Sequence, residues 1–89
     1  MNCNISVGDK FEVTDEFADG FVSSVGRKMR GRVAFVIRRF SVMAVFGDVD
    51  RVELEFIQPT TRHKPYKHSF DARQISMSVD RGELKRVCG

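Results

Sequence analysis

The sequence has no tryptophan, one tyrosine and two prolines, and its two cysteines lie close to the two ends of the chain. Cys3 and Cys88 are not in the paired C-x-x-C spacing of zinc sites, so neither a metal nor a cofactor is predicted. We expect two separate thiols; a disulfide that ties the chain ends is the alternative. No apolar run approaches the roughly 18 residues that span a membrane. Residues 1–20 also lack the apolar segment of a signal peptide, which favours a soluble cytoplasmic protein that does not bind membranes.

Catalytic motifs are missing as well. There is no phosphate-binding loop, no dinucleotide-binding glycine pattern and no HExxH metalloprotease motif. Ser69 or Cys88 with His68 and Asp71 is the nearest approach to a nucleophile set, but it lacks the strand–turn–helix context of a nucleophile elbow. The sequence therefore predicts a binding protein and not an enzyme.

Eight phenylalanines and an apolar fraction of 42% are enough for one small core in a chain of 89 residues. We predict a single domain over residues 1–89. Its core spans about 7–79, and residues 80–89 form a closing hairpin or short turn. A core of this size gives little net stability, which a homodimer would increase.

Apolar and polar residues alternate in several short segments, which predicts a mainly β, antiparallel fold. In the strand at 52–57, Val52, Leu54 and Phe56 are expected to face inward. Residues 15–29 are predicted to be a long first loop, with a helical turn as an option, and residues 58–69 a loop because they contain both prolines. A sixth strand after residue 79 pairs back as a hairpin in one interpretation and is replaced by a helical turn starting at Asp80 in the other. The predicted strands cover residues 10–14, 30–39, 42–46, 52–57, 75–79 and 83–87. The third of these is expected to end at a Gly47-Asp48 turn.

The order of these segments resembles a known fold class. An early VGDKFEV precedes the long loop, and GRVAFVI, VMAVF and a late FDARQI follow it. This pattern is similar to SH3-like barrels of the KOW and Tudor kind, and it covers about residues 7–79. The resemblance implies a small antiparallel barrel of five to six strands with a long first loop. The absence of tryptophan argues against the aromatic methyl-lysine cage of Tudor readers.

Charge is arranged in blocks along the chain, although the net charge is only +3. Residues 27–39 contain six basic residues and no acid, and they surround an apolar centre typical of a buried strand. The two basic ends would lie about 17–20 Å apart and could follow a nucleic-acid backbone with little sequence preference. The alternatives are ion pairs with the chain's own acids and contact with an acidic protein surface. The residues of this predicted site are Arg27, Lys28, Arg30, Arg32, Arg38 and Arg39.

A second basic segment follows at residues 62–68. Its tyrosine could stack on a base while its cations contact phosphates; alternatively, the segment is a solvated loop whose tyrosine packs on the domain. The predicted contact residues are Arg62, Lys64, Tyr66 and Lys67.

A protein partner is the alternative to nucleic acid. The acidic first loop would then be the contact surface of a small modulator or inhibitor of a larger complex, for which a virus-encoded protein acting on its host is one example. The contact residues predicted for that function are Asp15, Glu16, Phe17, Asp19 and Phe21.

Overall fold

Five strands and three helices form in the part of the chain that the computed structural model describes, residues 5–58 and 64–87. In chain order they are β1 (Lys10–Val13), α1 (Asp15–Asp19), α2 (Ser23–Met29), β2 (Val33–Ala44), β3 (Gly47–Ile57), β4 (Tyr66–Asp71), α3 (Ala72–Asp80) and β5 (Leu84–Arg86).

The strands make one antiparallel sheet in the order β4-β3-β2-β1-β5. The mainly β, antiparallel architecture predicted from the sequence is confirmed. The sheet is open, however: β4 and β5 are its two edges, and no pairing joins them within the described ranges. The last strand pairs with β1 and so extends the sheet without closing it into a barrel.

The core lies between one face of the sheet and the helices. Cross-strand partners share a face, and the registers place Phe11, Ala34 and Phe56 side by side on the inner one. The inward direction predicted for the residues of β3 is confirmed, because Val52, Leu54 and Phe56 are fully buried. The helices cover this face with the buried side chains Phe17, Met29, Ala72 and Ile75.

β2 and β3 form one long hairpin, which corrects the prediction of separate strands at residues 30–39 and 42–46. Nothing between Arg39 and Val42 breaks a strand, so β2 continues to Ala44, and β3 already begins at Gly47. A β-bulge at Ile37 shifts the register, so that Arg38 lies opposite Glu53 and Arg39 opposite the buried Val52. The turn therefore falls on Val45 and Phe46 and not on the predicted Gly47-Asp48 pair.

β4 corrects the prediction that residues 58–69 are a loop throughout. Pro65 directly precedes the strand, a place where proline is tolerated, and β4 is an edge strand. Phe70, on the inner face, is 2% exposed, and Lys67 on the outer face is exposed. The predicted loop is therefore a strand in its last part.

α3 replaces the strand that was predicted at residues 75–79. The Asp71 side chain accepts a hydrogen bond from the Arg73 backbone N–H at 2.8 Å and caps the helix. The buried residues Ala72, Ile75 and Ser78 recur every three positions, which is helical spacing. β5 then pairs with β1, so neither the predicted hairpin nor the helical turn starting at Asp80 forms.

The predicted long first loop contains two short helices. Thr14 caps the N-terminus of α1: its hydroxyl accepts a hydrogen bond from the Phe17 backbone N–H at 3.4 Å. Two acids in the first turn of α1 suit the positive end of the helix dipole. Phe17 and Met29 are buried and attach the two helices to the core. Helical structure therefore covers most of residues 15–29, which is more than the single optional turn that the sequence predicts.

Candidate nucleic-acid interface

Half of the predicted basic block is bound by the chain's own acids. Arg30 contacts Asp19 and lies 3.3 Å from Asp15 of α1. These pairs depend on the fold, because α1 and α2 pack side by side. The acidic first loop and the entry to β2 therefore neutralise each other at this point.

The exit of the basic block is also paired. The bulge turns Arg39 towards Asp50, to which its guanidinium donates two hydrogen bonds, and a third goes to the Ile5 carbonyl at 2.6 Å. Arg38 lies 3.6 Å from Glu53 and stacks 4.3 Å above the Phe40 ring. Both arginines are thus held on the sheet by neighbouring side chains.

Other cations of the predicted basic block lie next to the second basic segment, residues 62–68. Arg27 and Lys28 are exposed in the last turn of α2, where cations favour the negative end of the helix dipole. The Lys28 ammonium lies 5.2 Å above the centre of the Tyr66 ring at the start of β4. Two segments nearly 40 residues apart in sequence therefore form one basic surface.

Two more cations belong to this surface by position. Lys64 is exposed two residues before Tyr66, and Arg32 directly precedes β2 at the end of the sheet where Phe56 pairs with Tyr66. Lys67, predicted as a contact residue, follows Tyr66 in β4 and therefore points to the opposite, outer face, where it lies 3.9 Å from Glu55. We call the remaining residues the α2–β4 surface: Arg27, Lys28, Arg32, Lys64 and Tyr66.

Tyr66 is fixed in this surface by aromatic neighbours. Its ring stacks on His68 at 5.9 Å with an interplanar angle of 21°, and its hydroxyl lies 3.1 Å from the His68 Nδ1. Phe56 lies below, with ring centres 6.0 Å apart. The Tyr66 side chain is half-buried, so it packs on the domain and is also partly exposed to solvent.

The surface predicted for a protein partner needs correction. Phe17 is 3% exposed and packs on Phe21 and Phe70, so its ring belongs to the core and not to a contact surface. Asp15 and Asp19 are engaged by Arg30, as described above. Glu16, Phe17 and Phe21 instead contribute to a shallow cleft of about 490 Å³ between α1 and α3; its other main lining residues are Arg73, Met77 and Arg81.

The most exposed apolar residues of the described chain were not among the residues predicted from the sequence. Met43, Val45 and Phe46 are 88%, 93% and 101% exposed at the tip of the β2–β3 hairpin. The apolar run at residues 42–46 predicts a strand and not an exposed hairpin tip. The signal that could have found the tip is the run of five apolar residues, 42–46, directly before the Gly47-Asp48 pair.

Asp50 should titrate at unusually low pH. Its hydrogen bonds from Arg39 lower the pKa of the carboxyl below the ordinary aspartate value of about 3.9. Since the folded-state pKa is the lower one, the pair stabilises the fold above that ordinary value, and this contribution is lost as the pH falls through the folded-state pKa. A carboxyl-carbon NMR titration checks the shift.

The matched variants for this titration are the neighbouring arginines. In Arg39→Gln, the pKa of Asp50 should return towards the ordinary value, whereas Arg38→Gln should leave it low. An Asp50 that already titrates normally in the wild type would contradict the pairing.

Other predicted features lie partly outside the described residues, among them Cys3, Cys88, Arg62 and His63. Within residues 5–58 and 64–87, no three or more His, Cys, Asp or Glu side chains are grouped so that they could hold a metal ion. None of the described helices has the length and apolar character required to cross a membrane.

The fold and this surface define a small protein with an open antiparallel sheet, helices on one face, and a basic patch around an anchored tyrosine. No protein-family model matches the chain, and comparison with curated proteins and with solved structures finds no similar one.

Proposed function

We propose that the protein is a non-enzymatic module that binds nucleic acid through the α2–β4 surface with little sequence preference. The observation that carries this proposal is the position of Lys28 above Tyr66, which joins two basic segments around one aromatic ring. Cations that follow a backbone, combined with a ring on which a base can stack, are the usual means of binding single strands. The resemblance of the sequence to SH3-like modules is consistent with a binding function.

The charge state of the surface supports the same function. No carboxylate lies within ion-pair distance of Arg27, Lys28 or Lys64 among the described residues, in contrast to Arg30, Arg38 and Arg39. When cations that are not neutralised within the fold contact phosphates, the counterions condensed on the nucleic acid are released, and this release drives binding. The interface is therefore smaller than the sequence predicted and is concentrated at one end of β4.

The salt dependence of binding tests the proposal. If the four cations of the α2–β4 surface each contact a phosphate, the affinity should fall about 50- to 150-fold between about 50 and 200 mM salt. Fluorescence anisotropy with labelled single-stranded and duplex DNA and RNA of several sequences measures this slope. We expect similar affinities across sequences of one type of strand, because phosphate contacts carry no sequence information.

Charge reversal locates the interface. Lys28→Glu should weaken binding strongly and flatten the salt dependence. Arg73→Glu is the matched control: it changes the net charge equally, lies beyond the far end of β4 about 17 Å away, and places an acid in the first turn of α3, where acids are tolerated. Equal losses in the two variants would contradict the α2–β4 surface, since they would reflect net charge alone.

Modulation of a protein complex is the second proposal. The cleft between α1 and α3 supports it, because Met77 at its wall is 44% exposed and offers an apolar side chain to a partner. The same titrations separate the two functions. If no nucleic acid binds at about 50 mM salt, the first proposal is wrong and the protein-binding function is favoured.

A further inference from the structure

The outer part of the β2–β3 hairpin extends beyond the rest of the sheet. β1 pairs with β2 only as far as Phe35, and β4 pairs with β3 only from Arg51 onwards. Residues 41–50 therefore form a two-stranded ribbon with no flanking strand among the described residues; we call it the distal hairpin. Because an isolated two-stranded hairpin is marginally stable in water, such a ribbon gains stability from further packing.

The tip of the distal hairpin is apolar without a structural need to be so. Met43, Val45 and Phe46 are almost fully exposed. The only positive φ of the turn falls on Gly47, at 116°, so Val45 and Phe46 sit at positions that any polar turn residue could occupy. Exposed apolar residues in a cluster, as opposed to single ones, mark an interaction site.

Charge near the tip argues against an anionic partner. Asp48 and Asp50 balance Arg39 and Arg51, so residues 39–51 carry no net charge on a chain of net +3. The Arg51 guanidinium donates to the Ser69 carbonyl at 2.9 Å, and Arg39 is bound to Asp50. No surplus of cations is therefore present at the hairpin to hold phosphates or anionic lipid headgroups.

A second copy of the chain fits these observations. Two basic copies repel each other least where each is neutral, and the hairpin is such a region. A two-fold contact brings the same residues of each copy together, so an apolar tip meets an apolar tip. We propose that the protein self-associates through the distal hairpin, with Met43, Val45 and Phe46 of one copy packed against the same residues of the other. This inference does not depend on nucleic-acid binding.

The area buried between the two copies determines how tightly the dimer is expected to form. A buried phenylalanine covers about 150–250 Å², and three apolar side chains from each copy bring the interface towards the lower limit of stable ones, about 1,200 Å². We therefore expect a reversible dimer whose population depends on protein concentration.

Sedimentation equilibrium of the full chain, with a reductant to keep the thiols apart, tests the proposal. Between about 1 μM and 1 mM, the range of dissociation constants for small interfaces, the average mass should rise from 10.2 kDa towards twice that value. Val45→Asp should stay monomeric over this range. Circular dichroism should show the same thermal unfolding as the wild-type monomer, because aspartate is favoured in turns.

Val22→Asp is the matched control. Val22 is 69% exposed and immediately precedes α2, where aspartate is a favoured helix cap. It introduces the same charge away from the hairpin and should dimerise like the wild type.

Three results would overturn the proposal. The first is a wild type that stays monomeric up to about 1 mM, beyond the range of small interfaces. The second is a dimer that persists in Val45→Asp, and the third is an equal loss in Val22→Asp. A lipid surface is the other candidate for covering the tip, and flotation with neutral and anionic lipid vesicles tests it. If the wild type is monomeric and binds vesicles, and Val45→Asp does not bind them, the tip contacts lipid and not a second copy.

Discussion

Phe70→Ala should cost about 3–5 kcal/mol of folding free energy, the usual range for removing a buried aromatic ring. Phe70 is 2% exposed and stands at the centre of an aromatic cluster. Its ring centre lies 4.6–6.1 Å from those of four neighbours: Phe17, Phe21, Phe56 and His68. Since a chain of this length is stable by about 4–13 kcal/mol in total, the loss removes a large part of the stability. Urea unfolding followed by circular dichroism measures it.

Phe46→Ala is the matched control for this variant. The same side-chain truncation at the fully exposed tip should change the stability of the monomer by less than about 0.5 kcal/mol. If Phe70→Ala also costs less than about 1 kcal/mol, β4 does not pack on the core, because a buried ring of this size cannot be removed so cheaply.

The strands that could be predicted from the sequence have an inner apolar face and an outer polar face. β1 and the second half of β3 are of this kind: Val52, Leu54 and Phe56 alternate with charged residues. Because the alternation of apolar and polar residues indicates directly which side chains are buried, such strands can be predicted without knowing which strands pair with them.

The segment that forms α3 has an apolar pattern that fits both a strand and a helix. Ile75, Met77 and Val79 alternate like a strand, yet Ile75 and Val79 also lie one helical turn apart. The residue that decides between them is Asp71, whose side chain caps the helix. β4 could not be predicted in the same way, because two nearby prolines exclude a central strand, whereas an edge strand can begin after proline.

The open sheet could not be predicted from local patterns. Whether a sheet closes depends on which strand the last one joins, and alternation within β5 does not contain that information. The prediction of the candidate interface from the sequence was limited in the same way. The sequence identified the cations, but it could not decide which of them lie beside acids, because the contact of Arg30 with Asp15 and Asp19 exists only where α1 and α2 cross.

Gly26 determines how closely these helices approach, and Gly26→Ala should destabilise the protein. A Cβ at this position would lie 2.6 Å from the Ala18 carbonyl oxygen, a backbone atom that cannot rotate away. Alanine in a helix is ordinarily about 1 kcal/mol better than glycine. The clash outweighs this gain, since overpacking of a tight contact typically costs about 1–3 kcal/mol.

Gly20→Ala is the control, because its Cβ would lie at an ordinary 3.4 Å from the Phe17 carbonyl oxygen and its φ of −73° suits alanine. Thermal unfolding should separate the two variants clearly. Under conditions where Gly26→Ala is still folded, the displaced α2 should carry Lys28 away from Tyr66, so binding to single-stranded DNA should fall in Gly26→Ala and not in Gly20→Ala. If Gly26→Ala is as stable as the wild type, α1 and α2 do not meet at this glycine, and the surface proposed for nucleic acid loses the contact that positions it.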